Sequence, residues 1–134
     1  RDQRNKHWES FIRRHHALHE KDKNLITIFQ PNHHFTNSKI LSQFEKDLLK
    51  GRHFDFIDQF YPQGQALFKE LKKDGLAAYD FSMIFKNNED TFYRDYCCHL
   101  NDEGHQAFLE ALIPLLKNKV AVMNKSTSQT LIKR

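Results

Sequence analysis

Residues 25–29 read Leu-Ile-Thr-Ile-Phe and are closed by Gln30 and Pro31. A continuous apolar, β-branched run of this length, stopped by a proline, is the pattern of a strand covered on both faces, and such strands belong to parallel sheets. Upstream of it, Trp8, Phe11, Ile12, His15 and Leu18 recur at spacings of three and four. That spacing predicts an amphipathic helix with Arg13, Arg14 and Glu20 on its wetter faces, ending near 20–23. Downstream, residues 31–37 (PNHHFTN) form a polar loop. Ser38 can cap a helix carrying Ile40, Leu41, Phe44, Leu48 and Leu49, which Gly51 stops. A further helical stretch holds Phe54, Ile57, Phe60 and Tyr61, is interrupted at Pro62, and resumes through Ala66, Leu67 and Leu71 to Gly75.

Residues 76–79 read as a second short strand, 80–85 as a loop or single helical turn, and 86–90 as a polar turn. From Asp102 onward Phe108, Leu109, Leu112, Leu115 and Leu116 predict a final helix, capped by Asn101 or Asp102 and kinked at Pro114. The polar, basic stretch from Lys117 is expected to be a loose tail, so the folded body spans 1–117 and the tail 118–134. Alternation of helices and strands argues an α/β layer fold with a mainly parallel sheet. Two strands leave unpaired edges and cannot cover both faces of a sheet, so further strands are expected upstream. A chain that starts at Arg1, inside helical spacing, is accordingly expected to be part of a larger domain.

With 134 residues, one domain is the ceiling. The net charge of +4 comes from 21 basic and 17 acidic residues spread along the chain, which argues against a nucleic-acid partner. The basic tail has no interleaved aromatic residues. No apolar run approaches the roughly 20 residues needed to span a bilayer, and no signal-peptide order stands near Arg1, so localisation is unassigned. Cys97 and Cys98 are neighbours, which bond each other rarely because the geometry is strained. With His99 and His105 they make a poor zinc set, since structural zinc uses separated pairs. His15, His16 and His19, and likewise His33 and His34, lack the carboxylate of an HExxH motif, so no metal and no cofactor is expected. The Phe-rich stretch 54–60 reads as core.

Residues 93–107 (YRDYCCHLNDEGHQA) carry the chemistry. Asp95 and His99 stand four residues apart on a loop leading into a helix. Such a loop can let the carboxylate accept a bond from one ring nitrogen, fixing the tautomer and leaving the other nitrogen to take a proton from a nucleophile.

The run Asp95, Cys98, His99, Leu100, Asn101 and Gly104, followed by an apolar helix, resembles the last conserved block of the SGNH/GDSL hydrolases. Residues 25–32 (LITIFQPN) resemble that family's penultimate strand and loop, the segments with Glu45 and Tyr61 its long crossover, and Tyr79-Asp80-Phe81 its short last strand. The likeness covers about residues 24 to 117. It implies the C-terminal portion of a three-layer α/β/α flavodoxin-like fold, with His99 as general base and Asp95 as its orienter. The family spacing is Asp-x-x-His, whereas Tyr96 stands one residue after Asp95 here; Asp80 and Asp102 are alternative partners.

No Gly-Asp-Ser segment occurs, and Ser10, Ser38, Ser42, Ser82, Ser126 and Ser128 lie in helix starts, turns or the tail. The resemblance therefore implies part of a serine esterase or acyl/acetyl transferase acting on a small-molecule, carbohydrate or lipid ester, inactive without the missing nucleophile. The alternative is a non-catalytic α/β binding or interaction domain.

Overall fold

The computed structural model describes the backbone of residues 2–52 and 54–132 and the side chains of residues 9–52 and 54–121. In order come helix α1 (Asp2–Lys21), strand β1 (Thr27–Phe29), helices α2 (Gln43–Leu49) and α3 (Asp55–Lys73), strand β2 (Ala78–Asp80) and helix α4 (Asp102–Ile132). The chain is mixed α/β and mostly helical. β1 and β2 pair in parallel, with Thr27 opposite Ala78, Ile28 opposite Tyr79 and Phe29 opposite Asp80. A parallel pair requires a long crossover, which α2 and α3 supply. Beyond β2, the Phe81 N–H donates to the Phe29 carbonyl at 2.9 Å and extends the pairing toward the loop that follows.

The core forms where α3 meets the strands. Ile57, Tyr61, Gly64, Leu67, Phe68 and Leu71 recur at helical spacing and are buried. Leu67, Phe68, Leu71 and Ala78 make one cluster, with Phe11, Ile12, Phe29 and Leu76 packed around it. A second cluster of Phe85, Phe92 and Tyr93, flanked by Leu100, Ala107 and Phe108, holds the loop before α4 against that helix.

Several expectations need correction. β1 is half-buried rather than covered on both faces: among the described residues α3 is the helix that packs on it. α3 runs unbroken through Pro62: one lost backbone bond does not outweigh the buried stripe that continues on both sides of it. α2 starts at Ser42, not Ser38. The Ser42 N–H donates to Glu45 at 2.9 Å and the Glu45 N–H donates to the Ser42 hydroxyl at 3.3 Å, a reciprocal capping box that Ser38 has no partner to form. The buried Ser38 hydroxyl donates to the Asn32 carbonyl instead.

In the Phe-rich stretch, Phe56 and Phe60 are exposed while Ile57 and Tyr61 are buried, so that run is only partly core. On α1 the apolar stripe is rotated. Leu18 is exposed and His19 is buried, its Nε2 bonded to the Thr27 hydroxyl at 3.2 Å, an interaction leucine cannot make. The side chain of Trp8 lies outside the described residues. The stretch read as a tail continues α4 to Ile132, since residues 117–132 contain neither glycine nor proline to stop the ladder. Residues 133 and 134 lie outside the described residues.

Candidate active site

The loop from β2 to α4 leaves the C-terminal end of the parallel pair and closes on itself before the helix. Tyr93 and Leu100 form an isolated antiparallel bridge, the Arg94 N–H donates to the His99 carbonyl at 3.0 Å, and the Asn101 N–H donates to the Phe92 carbonyl at 2.8 Å. Asn101 also caps α4, its side-chain oxygen accepting the Gly104 N–H at 2.8 Å. Gly104 is required there sterically: a Cβ would run into the Phe92 carbonyl oxygen.

Within this closed loop, Asp95 organises four donors. One carboxylate oxygen accepts the N–H groups of Cys97 at 3.0 Å, Cys98 at 3.3 Å and His99 at 3.3 Å. The other receives His99 Nδ1 at 2.6 Å. Wrapping the backbone around the carboxylate explains how a four-residue separation brings the two side chains together. Asp80 instead accepts the Ser82 N–H at 2.9 Å, and Asp102 opens α4, so His99 has Asp95 as its carboxylate. Against the upward push of burial, the His99 ring and the N–H groups of His99 and Cys97 hold the Asp95 carboxyl at about 2. It is therefore ionised across the neutral range, and a carboxylate on Nδ1 selects the tautomer whose Nε2 carries the free lone pair. The His99 side chain is 60% exposed.

Beneath the loop lies a buried charged pair that sequence reasoning missed. Lys39 Nζ and Glu45 Oε2 are 2.9 Å apart, with side chains essentially excluded from solvent. Glu45 Oε1 accepts the N–H groups of Phe92 at 2.9 Å and Tyr93 at 3.1 Å. Burial raises the Glu45 carboxyl, but Lys39 and the Ser42 and Phe92 N–H groups outweigh it and leave it lowered. One glutamate thus caps α2 and anchors the segment leading into the Asp95 loop. The signal was present in the sequence as Ser42-x-x-Glu45.

The loop after β1 braces the same segment from the other side. His34 Nε2 donates to the Tyr96 carbonyl at 2.6 Å, and the Arg52 guanidinium lies 4.0 Å over the Tyr96 ring. His33 stacks on Tyr93, ring centroids 4.1 Å apart, and neither of its ring nitrogens has a hydrogen-bond partner. Burial and then His34 push it down to about 4, although the Tyr96 carbonyl and the Glu45 carboxylate favour the cation. A cavity of about 810 Å³ opens beside His33, His34, Lys46 and Arg52; His99 does not line it.

Three histidines on α1 have separate partners: His15 bonds the Phe11 carbonyl, His16 pairs with Asp74, and His19 bonds Thr27. Among the described residues no group of three or more His, Cys, Asp and Glu side chains could hold a metal ion, and no helix is long and apolar enough to cross a membrane. No family model, no curated protein and no solved structure matches the chain.

Proposed function

We propose that this chain contributes the general base and its orienting carboxylate to an ester hydrolase or acyl/acetyl transferase of SGNH type, with the nucleophilic serine supplied by sequence not contained in these 134 residues. The observation that carries the reading is the 2.6 Å contact from His99 Nδ1 to an ionised Asp95, on an imidazole side chain that is itself exposed. The site's place on a loop beyond the C-terminal end of a parallel strand pair supports it, since open α/β sheets bind ligands at that edge. The same reading implies the flavodoxin-like three-layer fold, of which β1, β2 and their helical crossover would be one portion.

In this mechanism His99 Nε2 removes the proton from the serine hydroxyl as it attacks the ester carbonyl. Asp95 stabilises the imidazolium that results, and His99 returns the proton to the departing alcohol. The acyl-enzyme is then released to water or to a sugar or other alcohol, which His99 activates in the same way. Both acceptors use the same base, so the Asp-His pair is common to hydrolysis and transfer.

The test is a p-nitrophenyl acetate assay of the product of the longer reading frame, wild type and His99→Ala. Loss of turnover by about 10⁴-fold or more on substitution is expected. Turnover indifferent to His99, or a reading frame with no serine at a strand end, would leave a non-catalytic interaction domain. The 134-residue chain by itself is expected to show no turnover.

A further inference from the structure

Cys97 and Cys98 stand between the two members of the Asp-His pair and are the chain's two cysteines. Both are free thiols, Cys97 exposed and Cys98 half-buried, and their Sγ atoms lie 3.4 Å apart. A disulfide needs about 2.05 Å between sulfurs and usually about 4.4–6.8 Å between Cα atoms, whereas neighbouring Cα atoms across a trans peptide are about 3.8 Å apart. The neighbouring Cα atoms lie below that range and the sulfurs must close from 3.4 Å, so the bond closes only with distortion of the peptide between the two residues. That peptide carries the Cys98 N–H, which donates to Asp95 at 3.3 Å, and it is flanked by the Cys97 and His99 N–H groups on the same carboxylate oxygen.

We infer that Cys97 and Cys98 form a modification site, a dithiol that a peroxide converts to a vicinal disulfide, and that this conversion withdraws the Asp95 carboxylate from His99. The step balances as follows. The exposed Cys97 sulfur attacks one peroxide oxygen, the O–O bond breaks, and Cys97 becomes a sulfenic acid as water, or an alcohol from an alkyl peroxide, departs with the thiol proton. Cys98 sulfur then attacks the Cys97 sulfur, and the hydroxyl of the sulfenic acid leaves as water with the Cys98 proton. The peroxide is reduced by two electrons and the two thiols are oxidised by two.

Burial first, then the hydrogen bond shared with Cys97, raise the Cys98 thiol to about 11, so Cys98 resolves the sulfenic acid more slowly than an ordinary thiol would. Strain in the product makes it readily reducible by thiols, the property of a switch rather than of a structural crosslink. Only the consequence for ester turnover rests on the hydrolase reading; the covalent step and its effect on Asp95 do not.

The chain is treated with one equivalent of hydrogen peroxide, alkylated, and weighed intact. The expected product is monomeric, lighter by two hydrogens and unalkylated, with the bridge confined to the tryptic peptide of residues 95–117 and reversed by dithiothreitol. In the same sample the Asp95 carboxyl, followed by carbon NMR, is expected to titrate more than one unit above its reduced position of about 2. In Cys98→Ser the sulfenic acid is expected to persist to capture by dimedone, with Asp95 unmoved. Alkylation of both cysteines after peroxide, bridging between two chains, or a vicinal disulfide that leaves Asp95 unmoved would each overturn the inference. For the longer product on p-nitrophenyl acetate, turnover lost on oxidation and regained with dithiothreitol supports it. Absence of turnover in both redox states counts against the hydrolase reading alone, since mass and titration still report the switch.

Discussion

His33 and His99 are the same residue in opposite circumstances, one packed against Tyr93 at the start of the closed loop and the other on the loop itself. His33 is 4% exposed, leans on Tyr93 and has both nitrogens unpartnered; His99 is 60% exposed at its side chain and holds a carboxylate on Nδ1. Neither difference comes from the imidazole. Burial without a partner disfavours the cation and leaves a neutral spacer in the core, whereas a carboxylate partner at the surface fixes the tautomer and stabilises a proton arriving at the other nitrogen. Chemistry belongs to the second arrangement. The buried region beneath it, where Glu45 holds Lys39 and the Phe92 and Tyr93 N–H groups, keeps the loop in register.

The largest effect is expected from breaking that support. Glu45→Ala leaves the Lys39 ammonium buried without its counter-charge and strips acceptors from three backbone N–H groups, and is expected to cost about 3–5 kcal/mol. Urea unfolding of the variant measures it. A cost under about 1 kcal/mol would mean that the loop is held by the aromatic cluster around Phe85 and not by the buried carboxylate.

His33 is expected to shape the acid side of stability. Its folded value lies near 4 against an ordinary 6.5, so the unfolded chain takes up the proton first and stability falls as pH drops through that window. The expected loss is about 3 kcal/mol between pH 6.5 and 4. His33→Phe keeps a ring against Tyr93 and should flatten the slope across that window, read from denaturation midpoints at several pH values. Asp95 and Glu45 are shifted in the same direction, downward, and act in a lower window. Their lowered values contribute stability above the ordinary carboxylate range and lose it only as pH falls below that range, so the two regions separate along one pH axis.

What was legible in the sequence was whatever depends on local pattern. The LITIF run, the stripe from Ile57 to Leu71 and the turn residues Gly51 and Gly75, which take φ of 71° and 80°, read directly as strand, helix and stops. The Asp95–His99 contact was anticipated because both ends of it lie on one short loop. The Lys39–Glu45 pair was not, because a polar residue is ordinarily read as solvated, and its burial depends on Phe92 arriving from 47 residues downstream to donate an N–H. The position of the α2 cap was misread for a related reason: Ser38 and Ser42 are equivalent as single residues, and only the glutamate three positions after Ser42 distinguishes them. The exposure of Phe56 and Phe60 likewise follows from which face α3 turns toward the strands, a tertiary choice that composition does not encode.

The smallest effect on stability, and the sharpest on the comparison, is expected from Asp95→Asn. The carboxylate sits on a surface loop, so its removal should change global stability by less than about 1 kcal/mol, as exposed ion pairs generally do. An amide oxygen can still accept one of the Cys97, Cys98 and His99 N–H groups, so the loop should keep its fold. What the amide lacks is the charge that holds the proton on His99 Nδ1. The expected signature is the loss of the downfield Nδ1–H resonance and a mixture of ring tautomers in nitrogen NMR, with the backbone spectrum elsewhere unchanged. In the longer product the same change should lower turnover by about 10⁴-fold, as when a triad's imidazole is left in the wrong tautomer. If the Nδ1 proton signal survives the substitution, the tautomer is set by something other than Asp95, and the two histidines differ in exposure alone.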